Sequence, residues 1–144
     1  MMIRRMEETD LEQVVAIEEA SFSQPWSRTG FLSGLKREDN VFLVLEDKGI
    51  QGYLDMYCCM GEGEITNVAV APGMRKKGYG SLLMKAALEK AQELSLESIV
   101  LEVRVSNENA IALYERFGFR KLGIRKDFYE FPREDAFVMS LILE

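Results

Sequence analysis

Segments with apolar residues at helical spacing alternate with short apolar runs typical of strands along this 144-residue chain. Apolar positions three and four residues apart predict helices near 10–22, 27–35, 81–94 and 109–117. Shorter runs rich in Val, Ile, Leu and aromatic residues predict strands at 3–6, 41–45, 50–60, 65–70, 99–105, 119–123 and 137–143. The predicted order is β-α-α-β-β-β-α-β-α-β-β, which indicates an α/β fold around a mixed sheet.

Polar residues and glycines at the ends of these runs predict helix boundaries. Thr9 and Asp10 are expected to cap the first helix and Ser27 the second, because short polar side chains accept hydrogen bonds from free backbone amides. Gly118 is expected to close the last helix, where a left-handed residue is favoured. Since no repeat or linker divides the 144 residues, 47% of them hydrophobic, we expect a single domain over residues 1–144.

Charge and composition narrow the function classes. Lys and Arg number 18 against 24 Asp and Glu, so the net charge is −6. This balance argues against direct nucleic-acid or anionic-membrane binding and is compatible with a basic partner. No signal peptide or transmembrane run is visible in the sequence, so we expect a cytoplasmic location.

The chain contains no histidine. That absence excludes Ser-His-Asp and Cys-His nucleophilic catalysis and most zinc chemistry, and the adjacent Cys58 and Cys59 form no zinc pattern. We therefore expect no metal. A catalytic acid or base must come from a carboxylate, tyrosine, lysine or thiol.

The segment 68–81 reads V-A-V-A-P-G-M-R-K-K-G-Y-G-S, a strand followed by cations, two spaced glycines and a helix start. Gly78 and Gly80 let the main chain approach an anion, and the free amides from about Ser81 onward point at it. A Walker loop is excluded because its lysine is missing, and a dinucleotide fingerprint because Leu83 stands at its third glycine. The segment predicts a polyphosphate site. A plain strand-to-helix turn is the alternative.

A second unusual feature is Glu102 inside the apolar strand 99–105. A strand in the middle of an α/β sheet is normally apolar, and an unpartnered buried carboxylate costs several kcal/mol. Glu102 therefore faces a wet cleft or has a partner. A salt bridge to Arg104 on the same strand face is one interpretation, and a catalytic carboxylate is the other.

These segments together resemble the GNAT acetyltransferases. The similar segments are V-A-V at 68–70, R-x-x-G-x-G at 75–80, L-E-V-R at 101–104, S-N at 106–107, A-L-Y at 112–114 and G-F at 118–119. P-W-S at 25–27 and the tail 125–136 are more similar to the bacterial branch that acetylates the N-terminal alanine of a small-subunit ribosomal protein. The resemblance implies a splayed central mixed sheet and acetyl-CoA as acetyl donor.

By that resemblance, the residues that would bind acetyl-CoA are Val68, Ala69, Val70, Arg75, Lys76, Lys77, Gly78, Tyr79, Gly80, Ser81 and Asn107. The strand 68–70 would pair its main chain with the pantetheine arm, and the backbone amides of 76–81 would hold the pyrophosphate. Asn107 would contact the cofactor through its amide, or it simply caps the following helix.

The resemblance also implies the catalytic pair. Glu102 would accept a proton from the attacking amine, and Tyr114 would donate one to the departing thiolate in a direct transfer; a core role for Tyr114 is the alternative. Trp26, Phe128 and Tyr129 would enclose a small N-terminal side chain, or these aromatic residues cap the core.

Elementary acid–base chemistry favours an α-amine as the acceptor. An α-amine with a pKa near 7.8 is about a tenth neutral at pH 7. Deprotonating a lysine side chain costs about 3.5 kcal/mol more than deprotonating an α-amine. The sequence therefore predicts an N-terminal acetyltransferase whose partner is the N-terminal segment of a ribosomal protein or another protein. The two alternatives are an acetyltransferase of small amines and a non-catalytic module that binds CoA.

Overall fold

The computed structural model describes residues 1–143. Seven strands form one mixed sheet, in the spatial order β1-β2-β3-β4-β5-β7-β6. The strands are β1 (Met2–Arg5), β2 (Val41–Glu46), β3 (Ile50–Cys59), β4 (Glu62–Val70), β5 (Ser98–Arg104), β6 (Arg120–Tyr129) and β7 (Glu134–Ile142). The helices are α1 (Leu11–Ser21), α2 (Arg28–Leu35), α3 (Tyr79–Glu93) and α4 (Glu108–Arg116). The predicted order of helices and strands and the mixed α/β fold class are confirmed.

Apolar clusters cover both faces of the sheet. Strand β2 shows this most clearly, because Leu43 and Leu45 pack on the side of α3 and α4 while Phe42 and Val44 pack on the side of α1 and α2. All four side chains are buried. A strand buried on both faces must be apolar at every position, which explains the uninterrupted run V-F-L-V-L.

The sheet opens between its two parallel strands. Strands β4 and β5 pair over four positions, from Glu62 with Ser98 to Ile65 with Leu101. The register of β4 against β3 then shifts at Thr66, because Ile65 and Asn67 face consecutive residues of β3. Beyond this bulge β4 continues beside β3 to residue 70, and β5 continues beside β7 to residue 104. The resulting gap is the splay that the resemblance implied.

Local signals at helix ends are confirmed where the contacts are short-range. The Ser27 side chain accepts a hydrogen bond from the Gly30 amide at 3.2 Å, and Gly118 has a φ of +97° directly after the C-cap of α4. The prediction for Asp10 is wrong. Its carboxylate accepts two hydrogen bonds from Arg4, at 2.8 and 2.9 Å, instead of capping α1.

Two other boundaries differ from the prediction. Helix α3 begins at Tyr79 instead of Ser81, because Gly78 adopts a φ of +81° and serves as the N-cap. Strand β6 extends to Tyr129, beyond the predicted end at Gly123, because it pairs with β7 as a long hairpin. Among residues 1–143, no helix combines the length and hydropathy needed to cross a bilayer.

Two glycines of α2 differ sharply in their surroundings and give a matched stability test. A Cβ on Gly34 would lie 2.5 Å from Phe42 Cζ and would also overlap the Tyr57 hydroxyl, whereas a Cβ on Gly30 would meet nothing closer than 3.8 Å. We predict that Gly34→Ala lowers the free energy of unfolding by about 1–3 kcal/mol through overpacking. Gly30→Ala should be neutral or stabilise by up to about 1 kcal/mol. Urea unfolding measures both, and equal effects would contradict the described packing of α2.

Candidate active site

The loop before α3 presents free backbone amides to solvent. Lys76 and Gly78 have φ angles of +65° and +81°, and the first helical hydrogen bond runs from the Leu82 amide to the Gly78 carbonyl at 3.1 Å. The amides of 79–81 donate to no acceptor within residues 1–143. A Cβ on Gly78 would have no protein atom within 4 Å, so the surface is open there. Successive amides at an open helix start fit a pyrophosphate.

The larger side chains of this loop brace it. Arg75 donates to the Val70 carbonyl at 3.2 Å and to Ser21 Oγ at 3.4 Å, which joins the loop to the ends of β4 and α1. The Tyr79 hydroxyl donates to Asp47 at 2.6 Å. Sequence reasoning treated Arg75 as a cation at the mouth of the site and missed both of its contacts. Ser21 lies far away in the chain, and the bond to the nearby Val70 carbonyl depends on how the loop folds back on β4. The charges of Lys76 and Lys77 remain exposed.

The strand segment 68–70 lies beside the gap. It follows the last parallel pair of β4 with β5, so one edge of β4 has no strand partner there while the other edge pairs with β3. An extended ligand can add to such an edge as a strand would. Asn107 is exposed, and its side-chain oxygen accepts a hydrogen bond from the Ala110 amide at 3.3 Å, as the capping interpretation predicted.

Glu102 lies on β5 directly after Leu101, where the pairing with β4 ends, and its side chain is 19% exposed. Its ion-pair partner is Arg125, with Nε 3.2 Å from the carboxylate, whereas Arg104 pairs with Glu134 at 3.1 Å. The interpretation that Glu102 pairs with Arg104 is therefore wrong. Burial is the main cause that raises the pKa of Glu102, the charge of Glu64 raises it further, and Arg125 opposes the shift. A carboxylate with a raised pKa is a better proton acceptor.

Tyr129 lies near this carboxylate, and Tyr114 lies near Tyr129. Tyr114 on α4 is buried in the core cluster and packs against Phe119 with ring centroids 6.0 Å apart. Burial, followed by the proximity of Tyr129, raises the pKa of Tyr114 above its usual range. Burial and the charge of Glu102 raise the pKa of Tyr129 to about 12. Both phenols are therefore protonated at neutral pH and can act as proton or hydrogen-bond donors.

Two loops, residues 22–27 and 130–133, meet at the end of β5, where Arg104 contacts both. The aromatic residues predicted there do not contact one another across this junction: Trp26 packs on Phe31 and Tyr57, whereas Phe128 packs on Tyr129. The loops meet through polar contacts, since the Ser23 hydroxyl donates to the Glu130 carbonyl at 3.2 Å.

Arg104 holds this junction, and sequence reasoning missed that role. Its guanidinium donates to Ser23 Oγ at 3.3 Å, to the Glu130 carbonyl at 3.1 Å and to the Pro132 carbonyl at 2.9 Å. It also lies 4.5 Å from the Tyr129 ring centroid. A planar fork of five N–H groups suits such a hub.

A buried polar cluster lies behind the loop 22–27. Glu18 is 1% exposed and accepts hydrogen bonds from the Trp26 amide at 3.0 Å, from Asn67 Nδ2 at 3.0 and 3.2 Å, and from the Tyr53 hydroxyl. Asp55 is 0% exposed, and neither of its carboxyl oxygens has a partner in residues 1–143. Burial, and then the charge of Glu18, raise the pKa of Asp55 well above its usual value. Burial therefore favours the neutral, protonated form of Asp55 in the folded protein.

A strand edge beside a parallel gap, followed by an anion-binding helix start, defines a site for a long phosphorylated ligand. The sequence model of the Acetyltransferase (GNAT) family matches residues 11–119, and the chain belongs to this family. The protein is thus an acetyltransferase, and the family uses acetyl-CoA. Within the described residues, no group of three or more His, Cys, Asp or Glu could hold a metal ion.

Individual relatives match over nearly the full length. A Bacillus subtilis protein, provisionally named a [ribosomal protein bS18]-alanine N-acetyltransferase, is 37% identical, and the match covers 95% of this chain and 92% of the relative. The Escherichia coli enzyme of that name is 31% identical over 96% of this chain and 95% of its own. The crystal structure of the ribosomal-protein-S18-alanine N-acetyltransferase from Escherichia coli superimposes with a TM-score of 0.92 and 30% identity, covering 99% of this chain and 94% of that one.

The protonated Asp55 gives a pH-dependent stability test. The folded state holds the Asp55 proton to a higher pH than the unfolded chain does. The contribution of this proton to the free energy of unfolding is therefore complete below the unfolded pKa near 3.9 and is lost as the pH rises. We predict that Asp55→Asn has a higher free energy of unfolding than wild type at pH 8. The difference between the two should grow from pH 5 upward by up to about 1.4 kcal/mol per pH unit.

Urea unfolding at several pH values measures this gap. Asp127→Asn changes an exposed carboxylate in the same way and serves as the control. We expect its free energy of unfolding to stay close to that of wild type at every pH. A gap for Asp55→Asn that stays constant between pH 5 and pH 8 would contradict the buried, protonated carboxyl.

Proposed function

We propose that this protein transfers the acetyl group of acetyl-CoA to the N-terminal alanine of a small-subunit ribosomal protein, or of another protein with a similar N-terminus. The observation that carries the proposal is the full-length similarity to alanine N-acetyltransferases of ribosomal protein bS18, at 37% and 31% identity. The site supports it, because a donor cleft and a shielded carboxylate lie beside two loops that can receive a peptide end.

In this proposal the backbone of the chain binds the donor. The open edge of Val68, Ala69 and Val70 would pair with the pantetheine arm, and the amides from Lys76 to Ser81 would hold the pyrophosphate. The Asn107 amide nitrogen remains free for the donor, because the cap uses only the side-chain oxygen. Acetyl-CoA supplies an activated thioester, and the chain has to orient it and shield it from water.

Glu102 is the proposed base. Its partial burial raises its pKa, while Arg125 opposes the shift and holds the carboxylate at 3.2 Å. A carboxylate remains a weak base, so it suits an α-amine, which is easier to deprotonate than a lysine by about 3.5 kcal/mol. This difference favours chain termini as acceptors.

Tyr114 is the proposed acid. Its burial keeps the phenol protonated, and it lies close enough to Tyr129 for that residue to shift its pKa. A protonated phenol can supply the departing thiolate with a proton, and direct transfer then needs no covalent enzyme intermediate. Trp26, Phe128 and Tyr129 would border the first side chain of the acceptor.

Conservative substitutions test the catalytic pair. We predict that Glu102→Gln and Tyr114→Phe each lower kcat by about 100-fold, a typical loss for one proton-transfer partner, while acetyl-CoA affinity stays near wild type. The acidic limb of the rate profile should disappear in Glu102→Gln. Arg125→Met removes the cation that lowers the pKa of Glu102, so its acidic limb should move to higher pH. Unchanged turnover in both catalytic variants would assign Glu102 and Tyr114 structural roles only.

Peptides that differ only at the first residue test the acceptor class. We predict that mass spectrometry detects acetylation of an alanine peptide, weaker acetylation when the first residue is large, and none when the α-amine is blocked and only internal lysines remain. The physical reasons are the aromatic side chains that would border the first residue and the difference of about 3.5 kcal/mol in the cost of deprotonating an α-amine and a lysine. Faster acetylation of a free polyamine would favour the small-amine alternative. Binding of acetyl-CoA without turnover of any acceptor would favour a non-catalytic module.

A further inference from the structure

We propose that Glu18 is a positioning residue that couples donor binding to the acceptor loop, residues 22–27. This inference rests on the proposed function, because it takes the open edge of β4 as the donor site and the loop around Trp26 as part of the acceptor site. Glu18 touches neither substrate. It acts through the groups that its carboxylate holds.

The coupling path consists of two hydrogen-bonded contacts. Asn67 directly precedes the segment 68–70 on β4, and its Nδ2 lies 3.0 and 3.2 Å from the two oxygens of Glu18. One of those oxygens, Oε2, also accepts the hydrogen bond from the Trp26 amide at 3.0 Å. The strand edge that would receive the donor and the backbone of the acceptor loop therefore share one carboxylate.

Burial makes this link stiff. Glu18 is 1% exposed, and no Lys or Arg in residues 1–143 forms an ion pair with it. Its carboxylate is therefore stabilised by three hydrogen-bond donors in place of water, namely the Trp26 amide, the Tyr53 hydroxyl and Asn67 Nδ2. In a low-dielectric interior, hydrogen bonds to a carboxylate are strong and leaving a donor unpaired is costly. A shift of β4 at Asn67 therefore favours a matching shift at Trp26.

The two ends of the path differ in regular structure and exposure, so an ordering of one end can change the other. Asn67 lies in a central strand beside the bulge at Thr66. The loop 22–27 contains no regular helix or strand, and its Ser23, Gln24 and Pro25 are exposed. A donor that pairs with 68–70 adds a partner to β4 and restricts its motion. The loop then loses freedom before the acceptor arrives, and the acceptor binds more tightly.

Hydrogen exchange with CoA as the only added ligand tests the coupling without any acceptor. In wild type we expect CoA to slow exchange in two segments, 79–81 at the anion site and 22–27 in the loop, the latter by at least about 5-fold, the lower end of typical site-to-site couplings. In Glu18→Gln the protection of 22–27 should be lost while that of 79–81 remains. The reason is that a glutamine turns one acceptor into an NH₂ group facing another donor.

The chain offers a matched control and a second variant. Glu19→Gln makes the same chemical change one residue further along α1, at an exposed position, and should behave like wild type. Asn67→Ala breaks the link on the β4 side and leaves the bond between Glu18 and Trp26 in place, so it decides the matter if Glu18→Gln fails to fold. Persistent CoA protection of 22–27 in a folded variant of either kind, or its absence in wild type, would overturn the proposal.

Peptide affinity gives a second readout that a purely structural role would not move. CoA should tighten binding of an alanine peptide to wild type and to Glu19→Gln, and should change the affinity of Glu18→Gln by less than about 2-fold. An equal gain in Glu18→Gln would contradict the coupling. If wild type neither binds nor acetylates the alanine peptide, the proposed acceptor is wrong, but the exchange result with CoA alone still decides the role of Glu18.

Discussion

The parting of β4 from β5 is the constraint on which the rest of the site depends. Parallel pairing ends at Ile65 and Leu101, and each strand then follows its antiparallel neighbour. The gap exposes the edge of β4 that is paired with β5 before the gap begins. The same divergence begins at Glu102, which follows the last parallel pair and keeps 19% of its side chain exposed although it lies in a central strand. The cleft and its carboxylate therefore have one cause.

Elements on both sides of the gap keep it open and shaped. On the β4 side, Arg75 and Glu18 tie α1 to the strand; on the β5 side, Arg104 ties the loop 130–133 to the end of β5. The two loops meet at Ser23 and Glu130. These contacts are almost all polar and made by long side chains or main-chain atoms. The apolar clusters hold the sheet together, and polar contacts set the dimensions of the cleft.

Local chemistry in the sequence predicted the fold well. Periodicity gave the right order of strands and helices, and Ser27 and Gly118 act at helix ends as expected, because their contacts reach only a few residues. Asp10 failed because its carboxylate turns back toward the preceding residues, where it accepts from Arg4 and from the Glu7 amide instead of from α1. The glycine spacing marked the turn before α3 that we propose as the anion site, although the φ of Gly78 moved the helix start by two residues to Tyr79.

Side-chain partners across the sheet were not predictable. The pairing of Glu102 with Arg125 in place of Arg104 depends on how β6 lies beside β7, which no local pattern encodes. Glu18 and Glu19 look alike in the sequence, yet one is buried with three donors and the other is exposed. Only the packing of α1 on β3 and β4 separates them.

Calorimetry of acetyl-CoA binding to loop variants tests most directly whether the backbone at the end of the gap forms the donor site. We predict that Gly78→Val abolishes binding, since the new side chain would occupy the open surface that the ligand needs and would strain the loop at a φ of +81°. Gly73→Val, where a Cβ would likewise meet nothing within 4 Å, and Lys76→Ala should weaken binding only a few-fold, by roughly 1 kcal/mol. Wild-type affinity in Gly78→Val would contradict the account.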